Sequence, residues 1–102
     1  MHLIQLFLPL YDNDGVPFSK ALYVEVQREL VECFGGMTAY NRVPAQGLWK
    51  DDSKAAMRDD LITVEVMAKS LDRPWWRAYR MTLEDRFKQE EVLVRSHMIE
   101  ML

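Results

Sequence analysis

The stretch Phe34-Gly35-Gly36-Met37-Thr38 lies where a helical pattern stops and a strand pattern starts. Apolar residues recur at helical spacing from Leu22 up to this stretch, and residues of alternating character follow it as far as Arg42. Glycine is the usual residue just past a helix end, because it adopts the left-handed conformation without a Cβ clash. Glycines that bind phosphate precede a helix, whereas these follow one. The stretch therefore predicts a structural corner and not a phosphate site.

Four further elements can be placed around the helix and the strand that meet at this corner. The apolar run over residues 3–8 predicts a buried strand, and Ser19 is expected to cap the first helix. Alternation over 61–71 predicts a third strand, Asp72-Arg73-Pro74 begins a second helix, and 92–97 forms the last strand. The order β-α-β-β-α-β predicts an α+β, ferredoxin-like fold with a four-stranded antiparallel sheet in the order 4-1-3-2 and two helices on one face. Residues 1–102 are expected to form this single domain.

The alternation along the strands predicts which side chains pack under the helices and which form the opposite, open face of the sheet. The helix-facing set is Ile4, Leu6, Leu8, Ile62, Val64, Val66, Val92, Val94 and Met98. The open-face set is Leu3, Gln5, Phe7, Thr38, Tyr40, Arg42, Thr63, Glu65, Met67, Leu93, Arg95, His97 and Ile99. The open-face set is too apolar for a bare surface and too charged for an ordinary core. It predicts a homodimer with two sheets packed face to face, a ligand cleft, or both.

The strand order is expected to place Arg42 beside Glu65, and Gln5 between Glu65 and the pair Arg95 and His97. One interpretation is that this polar network only satisfies buried groups in an interface. The other is that His97 and Glu65 are catalytic, with His97 acting as acid or base and an arginine holding an anionic group. The sequence leaves both interpretations open.

The connection from Val43 to about Asp60 is long for a hairpin loop, which is typical of a mobile lid or a functional loop. Trp49 within it either covers a pocket or anchors the loop on the core. The ligand-binding candidates are Gln5, Tyr40, Arg42, Trp49 and Arg95.

Composition excludes several classes of function. The net charge is −3 and the basic residues are scattered, which argues against a nucleic-acid partner. The helical stripe from Arg73 to Glu91 mixes both signs and predicts a solvated face. Cys33 is the only cysteine and falls on the apolar face of the first helix, so we expect a buried thiol, no disulfide and a reducing cytoplasm. No run approaches membrane-spanning length, and neither a metal nor a cofactor is expected.

Two motifs occur together: Phe34-Gly35-Gly36-Met37-Thr38-Ala39-Tyr40, and then Gly47-Leu48-Trp49. The chain resembles a group of small uncharacterised bacterial proteins with an FGG-x-T…G-x-W signature. The resemblance covers most of the chain, including Asp72 to Trp76 and Gln89-Glu90-Glu91. It implies a ferredoxin-like fold and no established activity.

The residues favour a homodimeric domain that uses the open face for self-association or for binding a small molecule. The alternative is a cofactor-independent enzyme of the dimeric α+β-barrel type, which would act on a small anionic or aromatic compound through a histidine acid or base. Whether the protein is an enzyme, and on what substrate, is not decided by the sequence.

Overall fold

The computed structural model describes residues 1–35, 39–43 and 61–102, with residues 39–43 described by their backbone pairing. The elements in chain order are β1 (His2–Pro9), α1 (Lys20–Phe34), β2 (Ala39–Val43), β3 (Leu61–Ala68), α2 (Arg73–Arg86) and β4 (Leu93–Met98). The third strand ends at Ala68, earlier than the alternation over 61–71 predicts. None of the described helices is long and apolar enough to cross a membrane.

The strands form one antiparallel sheet in the order β2-β3-β1-β4. The predicted α+β class, with two helices and an antiparallel sheet, is confirmed. β1 pairs with both β3 and β4, so it is central, whereas β4 lies at an edge. Side chains from alternate positions of β1 therefore lie between those of two neighbours, which is where cross-strand contacts are densest.

The core lies between the sheet and the two helices. Its fully buried strand residues include Ile4, Leu6 and Leu8, whose exposed fractions do not exceed 1%. Predicted core residues of β3 and the residue Val92 are buried with them. Met98 is the exception, because it is 68% exposed, and the prediction that it packs under the helices is wrong. It is the last residue of β4 and pairs with His2 at the end of the sheet, where the helical layer no longer covers it.

The helix α1 begins and ends as its sequence predicts. The Ser19 hydroxyl accepts a hydrogen bond from the backbone N–H of Ala21. Gly35 has a φ of 77°, and its N–H donates to the carbonyl of Val31 at 2.8 Å. The left-handed conformation explains why glycine stands at this corner. Residues 36–38 of the motif lie outside the described part of the chain.

The buried stripe of α1 differs at both ends from the stripe that the apolar spacing predicts, which is Leu22, Val26, Leu30 and Cys33. Its buried residues are Tyr23, Val26 and Leu30, and Phe34 continues the stripe by stacking on Trp76 with ring centroids 5.1 Å apart. Cys33 is exposed, so the prediction of a buried thiol is wrong. A step of four residues from Leu30 reaches Phe34, and the larger aromatic ring takes the position under α2.

A carboxylate joins the two helices. Arg86 donates from both Nη atoms to Glu29, at 2.7 and 2.9 Å, and the Tyr79 hydroxyl donates to the same carboxylate at 2.9 Å. The Arg86 guanidinium lowers the pKa of Glu29 below its ordinary value, and the Tyr79 hydrogen bond adds to this effect. Burial, followed by the bond to Glu29, raises the pKa of Tyr79. These contacts link α1 to α2 across 57 residues of chain.

Candidate functional site

The open face of the sheet, opposite the helices, carries the strand residues that alternate with the core. Its described members are Leu3, Gln5, Phe7, Leu61, Thr63, Glu65, Met67, Leu93, Arg95 and His97. Leu93 is 51% exposed, and Leu3, Phe7 and Met67 are partly exposed. Apolar side chains therefore surround the polar ones on this face, as the alternation predicts.

A line of three polar side chains crosses the open face from β3 through β1 to β4. The Gln5 amide donates from Nε2 to Glu65 Oε2 at 2.7 Å, and its Oε1 accepts a hydrogen bond from Arg95 Nε at 2.9 Å. The register places Gln5 directly opposite both Glu65 and Arg95. The prediction that Gln5 lies between these two residues is confirmed. We call Glu65, Gln5 and Arg95 the polar line.

The polar line is negative at Glu65 and positive at Arg95. The guanidinium carbon of Arg95 also lies 5.0 Å from the centroid of the Phe7 ring, within the range of a cation–π contact. Side-chain hydrogen bonds at both ends of Gln5 hold its amide in one orientation. The open face therefore has a fixed charge gradient that runs across the strands and is framed by apolar side chains.

His97 does not belong to the polar line. It pairs with Leu3 and is exposed. β1 lies between β4 and β3, so about 10 Å of sheet separates the strand of His97 from that of Glu65. The structure does not bring the two predicted catalytic residues together, and their catalytic roles stay predictions.

The register of β2 corrects the expected position of Arg42. Ala39 is the residue opposite Glu65, whereas Arg42 stands opposite Ile62 and Tyr40 stands opposite Val64. The prediction that Arg42 lies beside Glu65 is therefore wrong. A short strand with weak alternation does not specify its own register, and a shift of one residue changes every pairing. Trp49, the remaining ligand-binding candidate, lies outside the described residues.

A cleft of about 350 Å³ opens at one end of the open face. Phe7 and Leu61 line one side, and Leu93, Arg95 and Glu91 line the other. Its volume falls at the lower end of the range for small-molecule sites. Arg95 is the only predicted site residue among its described lining residues, and His97 is not one of them.

A second concave surface lies between α2 and the edge strand β4. The sequence pattern did not indicate a site there. Arg73, Arg77 and Arg80 line it together with Trp76 and Ser96. The spacing of the three arginines was visible in the sequence as part of a mixed-sign stripe. What the pattern could not show is that the packing of β4 beside α2 forms a concave surface around these arginines. Glu84 does not line it; it accepts a hydrogen bond from the Val92 N–H at 3.0 Å and pairs with Arg80 at 3.7 Å.

No group of three or more metal-binding side chains occurs in residues 1–35 and 61–102. The aspartate side chain in the turn after β1 binds the backbone of the turn itself. Asp12 Oδ1 accepts hydrogen bonds from the N–H groups of Asp14 and Val16, both at 2.8 Å. Such side-chain-to-backbone bonds are the ordinary use of aspartate in turns.

Comparison with known proteins identifies the fold but no family. No protein-family model matches the chain, and no curated protein matches it. Among solved structures, a phage SAM lyase in complex with S-methyl-5'-thioadenosine has a TM-score of 0.60 at 14% sequence identity. The match covers 94% of this chain and 79% of that chain. At this sequence identity the match shows a similar backbone fold and does not transfer the activity of that protein.

Proposed function

We propose that this chain is a small ferredoxin-like domain that forms a homodimer through the open face of its sheet and binds a small molecule in the cleft at the end of that face. The observation that carries the proposal is the polar line, which is hydrogen-bonded within the chain and surrounded by apolar side chains. The resemblance of the FGG-x-T…G-x-W motifs to small uncharacterised bacterial proteins supports the same fold and adds no activity.

The apolar residues of the open face favour a covered surface. Leu93 is half exposed and lies opposite Phe7, and Leu3 and Met67 contribute further apolar area on the other side of the polar line. Contiguous exposed apolar patches on small proteins commonly mark interaction sites. The helices already cover the other face of the sheet. A second copy of the chain brings an identical apolar surface of matching size.

The charge gradient favours one arrangement of two copies. In a two-fold dimer, the same patch of each copy forms the interface. If the two-fold axis runs parallel to β1 through Gln5, Arg95 of one copy faces Glu65 of the other, and the reverse contact occurs on the other side. An axis perpendicular to the strands would instead place like charges together, which is unfavourable in an interface. The polar line therefore predicts both the partner and the orientation.

Light scattering tests the dimer directly. The wild type is expected to have a mass of about 24 kDa, twice the 12.1 kDa of one chain. Leu93→Glu places a charge on a half-exposed apolar side chain of the open face and is expected to yield a folded monomer. Val24→Glu is the matched control, because Val24 is 55% exposed on α1, away from the open face. A wild-type mass of 12.1 kDa at high protein concentration would reject the homodimer.

The cleft suggests an anionic or aromatic ligand. The Arg95 guanidinium and the Phe7 ring line the same space and already contact each other, so a charged group and a flat ring are both accommodated.

The single thiol of Cys33 is exposed, which supports a reducing, cytoplasmic setting in which it stays unoxidised.

The alternative is an enzyme, and the likeness to the SAM lyase is the observation that favours it. That protein was solved with S-methyl-5'-thioadenosine, which therefore serves as a probe. Calorimetric binding of this compound to the wild type, reduced by Arg95→Gln, would support an enzyme-type site in the cleft. Because His97 is exposed, His97→Ala is expected to fold normally, so it separates chemistry from stability. Absence of binding at millimolar concentration would leave the alternative without support.

A further inference from the structure

We infer that the groove between α2 and β4 is a binding site for the diphosphate group of a small molecule. The groove holds about 240 Å³ and lies at the edge of the sheet, on the side that carries the helices. It shares Arg95 with the cleft on the open face, and its other lining residues differ from those of the cleft. A patch of like positive charge in a chain of net charge −3 needs a physical explanation.

Three arginines form a row along one side of the groove. Arg73, Arg77 and Arg80 are separated by four and three residues, so they project from the same face of α2. The rise of a helix over these seven residues is about 10 Å. Within the part of the chain that the structure describes, Arg73 and Arg77 form no ion pair, whereas Arg80 forms one with Glu84, at 3.7 Å. Like charges at this spacing repel each other when no anion lies between them.

No carboxylate lines the groove among the described residues. The nearest acidic residues along the chain are Asp72, which accepts a hydrogen bond from the Trp75 N–H, and Glu84, which accepts one from the Val92 N–H and pairs with Arg80. Arg95 also lines the groove, and its Nε donates to Gln5 on the open face. Glu84 therefore offsets part of the charge of Arg80, whereas Arg73 and Arg77 have no ion-pair partner among the described residues.

The rest of the lining suits a ligand that is anionic at one end. Ile4, Leu71 and Val94 supply apolar surface, and Ser96 supplies a hydroxyl. Trp76 also lines the groove, and its indole Nε1 is buried without a hydrogen-bond partner among the described residues. A ligand oxygen reached by a small adjustment of the indole would satisfy this donor, whose burial without an acceptor is unfavourable.

The dimensions favour two linked phosphoryl groups. Guanidinium groups bind phosphate oxygens through paired N–H donors, and a row about 10 Å long is longer than a single phosphate requires. Two phosphoryl groups can contact all three arginines at once. The volume of the groove leaves room for this group but not for a whole nucleotide, whose remainder would extend over the edge of the sheet.

Isothermal titration with inorganic pyrophosphate at constant ionic strength tests the site. The wild type is expected to bind saturably, and Arg77→Gln is expected to weaken binding about tenfold, as loss of a charge-assisted hydrogen bond does. The double variant Arg73→Gln/Arg77→Gln should abolish binding. Lys20→Gln is the matched control, because it removes one exposed positive charge at the start of α1 and lies outside the groove.

Three results would overturn the inference. The first is absence of saturable heat with millimolar pyrophosphate, and the second is equal affinity in Arg77→Gln and Lys20→Gln. The third is equal or tighter binding of citrate, the comparison anion, which would reject a diphosphate site. All three substituted residues are exposed, so unchanged circular dichroism melting is expected, and the dimer mass should also be unchanged.

Discussion

Replacement of Glu29 by glutamine tests how the two helices are held together. Glu29 and Arg86 retain only 24% and 18% of their side-chain exposure, and they are joined by two hydrogen bonds. Glutamine keeps the shape but removes the charge, so Arg86 loses its ionic partner in a largely dry site. Hydrogen bonds to charged groups contribute about 1.5–3 kcal/mol. Because glutamine can still accept one bond, we expect a loss of about 2 kcal/mol in the free energy of unfolding.

Urea and thermal denaturation measure this loss. For a domain of this size, about 2 kcal/mol corresponds to a decrease in Tm of about 10 °C. Glu32→Gln is the matched control, because Glu32 also forms an ion pair on α1, with Arg28 at 2.9 Å, but is 64% exposed. Exposed pairs of this kind contribute at most about 1 kcal/mol. Equal Tm values for the two variants would refute the proposed role of Glu29.

The pH dependence provides an independent check of the same contact. The pKa of Glu29 is lowered in the folded state by Arg86. Its stabilisation is therefore complete above the unfolded pKa of about 4.3 and is lost as pH falls through the lower, folded value. The wild type should exceed Glu29→Gln in stability at pH 7, and the difference should shrink as the pH falls below about 4. A difference that grows under acid conditions would contradict this assignment.

Three further outcomes are expected. Gly35→Val should lower the free energy of unfolding by about 1–2 kcal/mol, because Gly35 has a φ of 77° and a Cβ there strains the local backbone; the open space around Gly35 excludes a clash with other described parts of the chain. Gly35→Asn should cost less, and equal stability of Gly35→Val and the wild type would show that the corner is misassigned. Asp72→Ala should cost about 1 kcal/mol in urea denaturation through loss of the cap on Trp75, and an unchanged transition would reject that cap. Cys33 should react with a thiol reagent in the native protein, and reaction only after unfolding would contradict its exposure.

The core was predictable because its pattern is strong. Alternation along β1 identifies Ile4, Leu6 and Leu8 as buried, and alternation along β3 identifies Val64 and Val66. A one-residue error in either element would place polar residues in the core. Burial therefore allows only one assignment of side chains to the core face, and local propensity and tertiary packing agree on it.

The failures fall where the pattern is ambiguous. Helical spacing allows either Cys33 or Phe34 to follow Leu30 in the buried stripe, and the choice depends on the aromatic rings of α2. Arg42 was misplaced because the register of β2 against β3 is set by pairing and not by alternation alone. Periodicity does not contain information on such tertiary choices.

The candidate site was predictable in part. Gln5, Glu65 and Arg95 were selected because their strands were expected to be neighbours, and the two hydrogen bonds of the polar line agree with this. The arginine groove was not predicted, since one of its sides is formed by β4, which packs beside α2 only in the folded chain. A contact of that kind becomes visible only when the chain is folded.

The masses of charge-reversed variants test whether the protein forms the proposed homodimer. Glu65→Arg and Arg95→Glu each place like charges opposite each other in the proposed dimer, and light scattering should show a shift from about 24 kDa toward the 12.1 kDa monomer. The double variant restores opposite charges and is expected to recover the dimer. A monomeric wild type would contradict the proposed homodimer. A folded double variant that remains as dissociated as the single variants would contradict the proposed pairing of Glu65 with Arg95.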